Sequence, residues 1–377
     1  MSFSYYMPVK VFFGCGEFDH AGVRVASFGK KVLVVCGRRA MSALGYRERL
    51  ERMLQAEGLE VRVFNEVSPD PRTSEVNACV ERFAKWRPEV IVALGGGSAM
   101  DAAKGIALGL TVGEAVEPYL AGTKAVCPVE LPVVAIPTTA GTGSETNRAA
   151  ILSDSAGGYK SSFRHDTMFP KAAIIDPLLT VSLSAKITRE TGFDVLAHAM
   201  ETVISRAADN PLTWLYAEKA IRLLGSALPQ AIARGEDRQA RTDMAYAAML
   251  MGFNLANSST CLPHRLQYPL AVTTGTSHGA GLMALFRSWL ENTYSFSAER
   301  FDPMGSWLAG GTVSGKEEFL KAYDDFVQRC GEPVRLRDLG VTAGDIDGLT
   351  RRVSGNLAND PAGDVPGIVQ KIYEGAL

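Results

Sequence analysis

Short β-branched runs alternate with longer amphipathic stretches through the first half of this chain, and then the β signal all but disappears. A period of two that keeps switching to one of about 3.6 marks βαβ units feeding a parallel sheet. Val32-Leu33-Val34-Val35 reads as a strand, residues 40–55 as a helix, Val61-Arg62-Val63-Phe64 as a strand and residues 74–85 as a helix. Val90-Ile91-Val92-Ala93-Leu94 is apolar throughout, as a strand buried on both faces should be. Residues 133–136 and 172–175 add two more strands, and the sheet is expected to be doubly wound. From about residue 183 the apolar positions recur at threes and fours, punctuated by Asp209-Asn210-Pro211 and Gly235-Glu236-Asp237. The expected fold class is an α/β domain with a parallel sheet, residues 1–180, joined near Asp176-Pro177 to an all-α domain, residues 181–377. A chain of 377 residues exceeds the usual ceiling for one core. The cleft between two such domains is the default ligand site.

Charge narrows the partners. Lys plus Arg number 39 and Asp plus Glu 41, a net of -2, and no block of like charge is long enough to track a phosphate backbone. Nucleic acid is not an expected partner. The start Met1-Ser2-Phe3-Ser4-Tyr5-Tyr6 lacks a basic segment followed by an apolar run, and no stretch reaches ~18 uninterrupted apolar residues. No membrane association is expected. Cysteines at 15, 36, 79, 127, 261 and 330 are too scattered for a zinc knuckle or a disulfide framework. Together these features predict a cytoplasmic protein.

Leu94-Gly95-Gly96-Gly97-Ser98 follows a strand and opens the helical stretch Ala99-Met100-Asp101-Ala102-Ala103-Lys104. Glycines such as Gly96 and Gly97 let the backbone approach an anion, and a helix N-terminus offers unpaired N–H groups to a pyrophosphate. A second loop, Pro137-Thr138-Thr139-Ala140-Gly141-Thr142-Gly143-Ser144-Glu145, also follows a strand and carries four hydroxyls. One glycine turn reads equally well as a tight connection; two at strand ends predict a phosphorylated ligand. The G-x-G-x-x-G fingerprint is absent after the first strand. Gly37-Arg38-Arg39 stands where an acidic residue would bind a ribose 2′-OH, which favours NADP(H) over NAD(H) unless both arginines simply face solvent.

Of five histidines, His198, His264 and His278 fall in the helical half. Asp194 and His198 are four apart, which puts carboxylate and imidazole on one helix face. That spacing serves a metal or a plain hydrogen bond. His264 and His278 would lie ~21 Å apart on one continuous helix, so the chain must turn between them, and Pro269 with Thr273-Thr274-Gly275-Thr276 supplies a break. An aspartate with three neutral imidazoles suits Fe2+ or Zn2+ and leaves room for a substrate oxygen.

These residues resemble the iron-containing, or group III metal-dependent, alcohol dehydrogenases over nearly the whole chain. The resemblance rests on Gly95-Gly96-Gly97-Ser98 with Asp101 and Lys104, on Pro137 through Glu145, on Asp176-Pro177, on Gly192-Phe193-Asp194 with His198 and Glu201, and on His278-Gly279. It implies a dehydroquinate synthase-like fold, a homodimer and a metal held by Asp194, His198, His264 and His278. It also implies cofactor contacts at Asp70, Gly97, Ser98, Asp101, Thr138, Thr139, Thr142, Ser144 and Lys160. The expected activity is NAD(P)-linked interconversion of a small aldehyde and its primary alcohol.

One departure stands out. Many members of the family carry a second histidine four residues after the position matching His264, and this chain has Tyr268. Tyr268 either delivers a proton or packs against the nicotinamide. A tyrosine there is similar to the branch that reduces phosphonoacetaldehyde, and Arg148 and Arg265 invite an anionic aldehyde unless they pair with Glu145, Glu201 or the cofactor phosphates. The alternative function is a dehydroquinate synthase-like lyase or cyclase that uses nicotinamide in an internal redox cycle; a further one is a cofactor binder without catalysis.

Overall fold

The computed structural model of the protein describes residues 2–207 and 210–377; Asp209, part of one turn read from the sequence, lies outside the described residues. The chain divides into two units. One comprises Met7–Thr139 and Gly143–Ser182; the other comprises Leu183–Leu377 with the segment ending at Tyr6 and with Ala140–Thr142.

The first unit holds β1 (Lys10–Phe13), β2 (Lys31–Gly37), β3 (Glu60–Val67), β4 (Val90–Gly95), β5 (Val133–Pro137), β6 (Ala149–Asp154), β7 (Tyr159–Arg164) and β8 (Ala172–Ile175). Six of them form one sheet in the order β1-β8-β5-β4-β2-β3, with every pair parallel. Its helices are α1 (Ala21–Ala26), α2 (Ala40–Ala43), α3 (Tyr46–Ala56), α4 (Thr73–Phe83), α5 (Gly97–Val112) and α6 (Glu117–Leu120).

The alternation along β2 shows why the sheet is covered twice. Val32, Val34 and Cys36 pack with Val25, Leu50 and Leu54 of α1 and α3, whereas Leu33 and Val35 pack with Val76, Phe83 and Ile106 of α4 and α5. A period of two with both faces apolar leaves no solvated side, so helices must lie on each. Each aliphatic side chain buried there stabilises the fold by about 1.5–3 kcal/mol. At the free edge, β3 exposes Glu60 and Arg62; Glu60 accepts from the Trp86 indole N–H at 2.6 Å, and the Arg62 guanidinium lies over the Trp86 ring.

Three differences from the sequence expectation have local causes. The stretch 40–55 is two helices, because Gly45 takes a left-handed φ of 70° between α2 and α3. β1 is only four residues long and escapes a periodicity reading. β6 and β7 form an antiparallel hairpin, and β7 carries Lys160, Ser161 and Ser162 in place of an apolar run.

The second unit is built from α7 (Ala185–Ile204), α8 (Pro211–Ala233), α9 (Arg238–Asn257), α10 (Leu262–Thr274), α11 (His278–Thr293), α12 (Ala298–Ala309), α13 (Lys316–Arg329), α14 (Ile346–Arg352) and α15 (Ile368–Ala376). Side-chain caps start three of these: Ser184 accepts from Ile187 N, Asn210 from Leu212 N and Asp237 from Ala240 N. Gly192 lets α7 approach its neighbours closely, since a Cβ there would sit 2.4 Å from Leu228 on α8 and 2.6 Å from Met244 on α9. Helix α10 runs through Pro269 and stops at Gly275, whose φ is 68°. The break between His264 and His278 is therefore at Gly275, not at Pro269. No helix among the described residues is long and apolar enough to cross a membrane.

One carboxylate ties the end of the sheet to the segment after β1. Asp176 Oδ2 accepts from Gly16 N at 3.0 Å and Phe18 N at 3.1 Å, while Oδ1 accepts from Leu178 N at 3.0 Å. Asp176→Ala strands three backbone donors, so unfolding free energy is expected to fall by about 2–4 kcal/mol, read as a lower urea midpoint with an unchanged denaturant slope.

Candidate functional site

Helix geometry sets the first pair of site residues. Asp194 and His198 lie one turn apart on α7, and His198 Nε2 is 3.4 Å from Asp194 Oδ1. The turn at Gly275 brings in the rest. His264 Nε2, from the first turn of α10, and His278 Nε2, from the first residue of α11, each lie 3.5 Å from that same oxygen. The Nε2 atoms of His198 and His264 face each other at 3.0 Å, with rings stacked at 21°.

Hydrogen bonds on the far sides of the rings fix which nitrogen points inward. His264 Nδ1 is 2.6 Å from Glu201 Oε1, and His278 Nδ1 is 2.7 Å from Gln267 Oε1. A carboxylate and an amide oxygen only accept, so both rings place a proton on Nδ1, and in their neutral forms they turn an Nε2 lone pair toward Asp194. Asp194, His198 and His264 are buried, and Asp194 Oδ1 has no hydrogen-bond partner. Burial pushes the His198 ring down to about 3 against the pull of Asp194. Burial acts likewise on His264, but Glu201 and Asp194 outweigh it and raise that ring to about 9. Burial would raise Asp194 too, yet His198 and His278 hold it well below the usual carboxylate range.

An orphaned carboxylate oxygen facing inward-turned imidazole nitrogens is the donor chemistry of a cation site. With bonds of ~2.1 Å, a tetrahedral ion keeps its ligand atoms roughly 3.4 Å apart. The 3.0–3.5 Å separations here fit that requirement. Two nitrogens and one oxygen, from His198, His264 and Asp194, lie mutually within 4.8 Å.

In the other unit, Gly96 precedes α5 with no side-chain cap, leaving the first N–H groups of Gly97 and Ser98 for an anion. Only glycine fits at that point: a Cβ on Gly96 would come 2.9 Å from Thr139 Oγ1. Thr138 N donates to Gly95 O at 3.0 Å, which holds the two loop entrances side by side. Asp101 and Ser144 are joined to each other, Ser144 Oγ donating to Asp101 Oδ1 at 2.6 Å. Buried Lys104, lowered to about 8 by burial, donates to Ser144 O, Ser144 Oγ and Ala149 O. Thr142 belongs to the segment Ala140–Thr142, where Gly141 abuts Thr191 of α7.

Asp70 is a non-glycine residue at φ 53°, and its carboxylate pairs with Lys160. Gly37 ends β2. Arg38 binds Glu66 O and Glu75 Oε1, each at 3.1 Å, and Arg39 is exposed. Arg148 pairs with Asp166 at 3.0 Å, and Arg265 packs along Gly355. Neither arginine takes Glu145 or Glu201 as the partner the sequence suggested. Tyr268 sits one turn after His264 on α10, half-buried.

Sequence reasoning missed the jobs of Glu201 and Gln267. Both follow a ligand candidate at helical spacing, three residues after His198 and His264 respectively, which was the available signal.

Residues 8–177 match the family described as iron-containing alcohol dehydrogenase, and residues 188–375 match the C-terminal domain of the Fe-containing alcohol dehydrogenase family. The chain belongs to the iron-containing alcohol dehydrogenase family. Among curated relatives of this family, an NAD-dependent methanol dehydrogenase of Bacillus methanolicus is 31% identical, with 92% of each chain covered. An alcohol dehydrogenase from an archaeon of a Red Sea brine pool superposes with a TM-score of 0.94 at 26% identity, over 100% of this chain and 99% of that one. A sulfoacetaldehyde reductase from Bifidobacterium kashiwanohense, solved with NAD+, has a TM-score of 0.88 at 29% identity, over 100% and 99%. Both halves of the chain, and not only the glycine-containing loops, thus carry the family's pattern.

Replacing Asp194 or His264 by alanine is expected to abolish retention of a divalent ion by the purified chain while the circular dichroism spectrum stays native. Elemental analysis after gel filtration checks this.

Proposed function

We propose that this chain is a divalent-metal-dependent, nicotinamide-linked dehydrogenase that interconverts a small aldehyde and its primary alcohol. The convergence of His198, His264 and His278 on one oxygen of Asp194 carries the reading. A bound Fe2+ or Zn2+ would supply Lewis acidity toward a substrate oxygen, and a nicotinamide would supply or accept the hydride.

The chain's own residues prepare the rest. Glu201 and Gln267 keep protons on the outer nitrogens of His264 and His278, so the inner nitrogens are turned toward Asp194. Gly96, Gly97 and Ser98 offer backbone N–H groups to the cofactor pyrophosphate, with Thr138, Thr139 and Thr142 as hydroxyl partners and Asp70, Asp101, Ser144 and Lys160 around them. Gly37 brings no carboxylate to the end of β2, which favours NADP(H), while Arg39 faces solvent and adds nothing to that preference. The Arg38–Glu75 pair weakens that preference by neutralising one of the two cations. Tyr268 is the side chain we assign to proton delivery.

A second reading, an anionic aldehyde substrate, rests on the likeness to the sulfoacetaldehyde reductase. Arg148 and Arg265 add nothing to it, since one is paired with Asp166 and the other lies along Gly355. Phosphono-, sulfo- and neutral short-chain aldehydes assayed side by side with NADPH and NADH test both readings. The expected result is turnover of a neutral aldehyde with mole-for-mole loss of reduced cofactor and a higher kcat/KM for NADPH. No net cofactor consumption on any substrate would point instead to an internal redox cycle of the dehydroquinate synthase kind. Tyr268→Phe separates proton delivery from packing: delivery predicts a fall in kcat of about 10²-fold or more with little change in KM.

A further inference from the structure

Glu201 is fully buried on α7, and both of its oxygens are occupied by donors from elsewhere. Oε1 takes the Nδ1 proton of His264 at 2.6 Å, and Oε2 takes the backbone N–H of Cys261 at 2.6 Å. Cys261 is the N-cap residue of α10 and has no side-chain cap, so this carboxylate does the capping from another helix. Leu262 N is held similarly, at 3.2 Å, by Asp360 Oδ2.

We propose that Glu201 is a positioning residue that selects the metal-binding tautomer of His264, and that only a carboxylate can do so here. The inference rests on the metal reading above and adds to it. Two donors converge on this side chain, and a carboxylate accepts at both oxygens. Glutamine has the same shape but one acceptor and one donor. With its oxygen retained by Cys261 N–H, its NH2 group would face His264 Nδ1. The ring would then accept there and carry its proton on Nε2, the nitrogen aimed at Asp194 and His198. That proton occupies the place of the ion. A carboxylate behind the ring also makes the inner nitrogen a stronger donor, whereas the neutral amide of Gln267 does less for His278.

The test compares metal-stripped wild type and Glu201→Gln, each as the full chain. Zn2+ affinity is measured by competition with a chromophoric chelator, the ligand-field spectrum after Co2+ loading, and the His264 tautomer by nitrogen NMR of labelled histidine. Expected for Glu201→Gln are a thermal midpoint near that of wild type, Zn2+ binding weakened by about 10- to 100-fold, an altered Co2+ spectrum and the proton on Nε2. Equal Zn2+ affinity with the Nδ1 proton retained would overturn the assignment alone; failure of wild type to bind Zn2+ or Co2+ would overturn the metal reading and the assignment with it. Should Glu201→Gln not fold, Gln267→Glu decides instead. It places a carboxylate behind His278 and is expected to tighten Zn2+ binding several-fold, and unchanged or weaker binding would overturn the proposal.

Discussion

A buried carboxylate oxygen ringed by three imidazoles is the point on which this structure turns. Asp194 Oδ1 has three imidazole nitrogens within 3.5 Å, and none of them makes a well-aligned hydrogen bond to it. Removing an ionised carboxylate from water costs several kcal/mol, and half-satisfied polar clusters are worse than apolar cores. The surrounding helices must therefore hold the arrangement by force of packing. The α7–α8–α9 contact at Gly192 supplies rigidity two residues before Asp194, and the Gly275 turn fixes the angle at which α11 delivers His278. Cation binding would repay the desolvation that packing alone sustains.

The parallel sheet solves a different problem with the same economy of parts. All six strands of the main sheet run the same way, so β4 and β5 end side by side and the two glycine-containing loops leave from one edge. The Lys104–Ser144–Asp101 network then locks the second loop to the helix that follows the first. Lysine, serine and aspartate brace one another there, and the loops also present backbone N–H groups and threonine hydroxyls. Backbone donors suit a diphosphate because they are fixed before it arrives and need no reordering.

Much of this was legible in the sequence, for reasons that differ element by element. β2 and β4 announced themselves because both faces are buried, which forces a continuous apolar run. The Asp194–His198 pair was visible because one helix turn is a fixed distance. Position along the chain says little about where a turn lies, so the break before His278 was attributed partly to Pro269, which α10 accommodates. The β6–β7 hairpin was invisible because Lys160, Ser161 and Ser162 carry too little apolar signal. Hydrogen bonds such as Glu201 to His264 join residues 63 positions apart and depend on three-dimensional placement that no local pattern encodes. Arg38 shows the converse: its charge could be read from the sequence, but its engagement by Glu75 could not.

β3 closes one side of the sheet, and among the described residues no strand lies beyond it. An unpaired row of amide and carbonyl groups is a template on which another polypeptide could add a strand and begin an aggregate. Glu60 and Arg62 stand at that margin, anchored through Trp86 so that they do not swing away. An incoming chain would have to strip water from those charges before its first ladder bond could form. The outer strand thus carries its own barrier to strand addition in two side chains of an eight-residue segment.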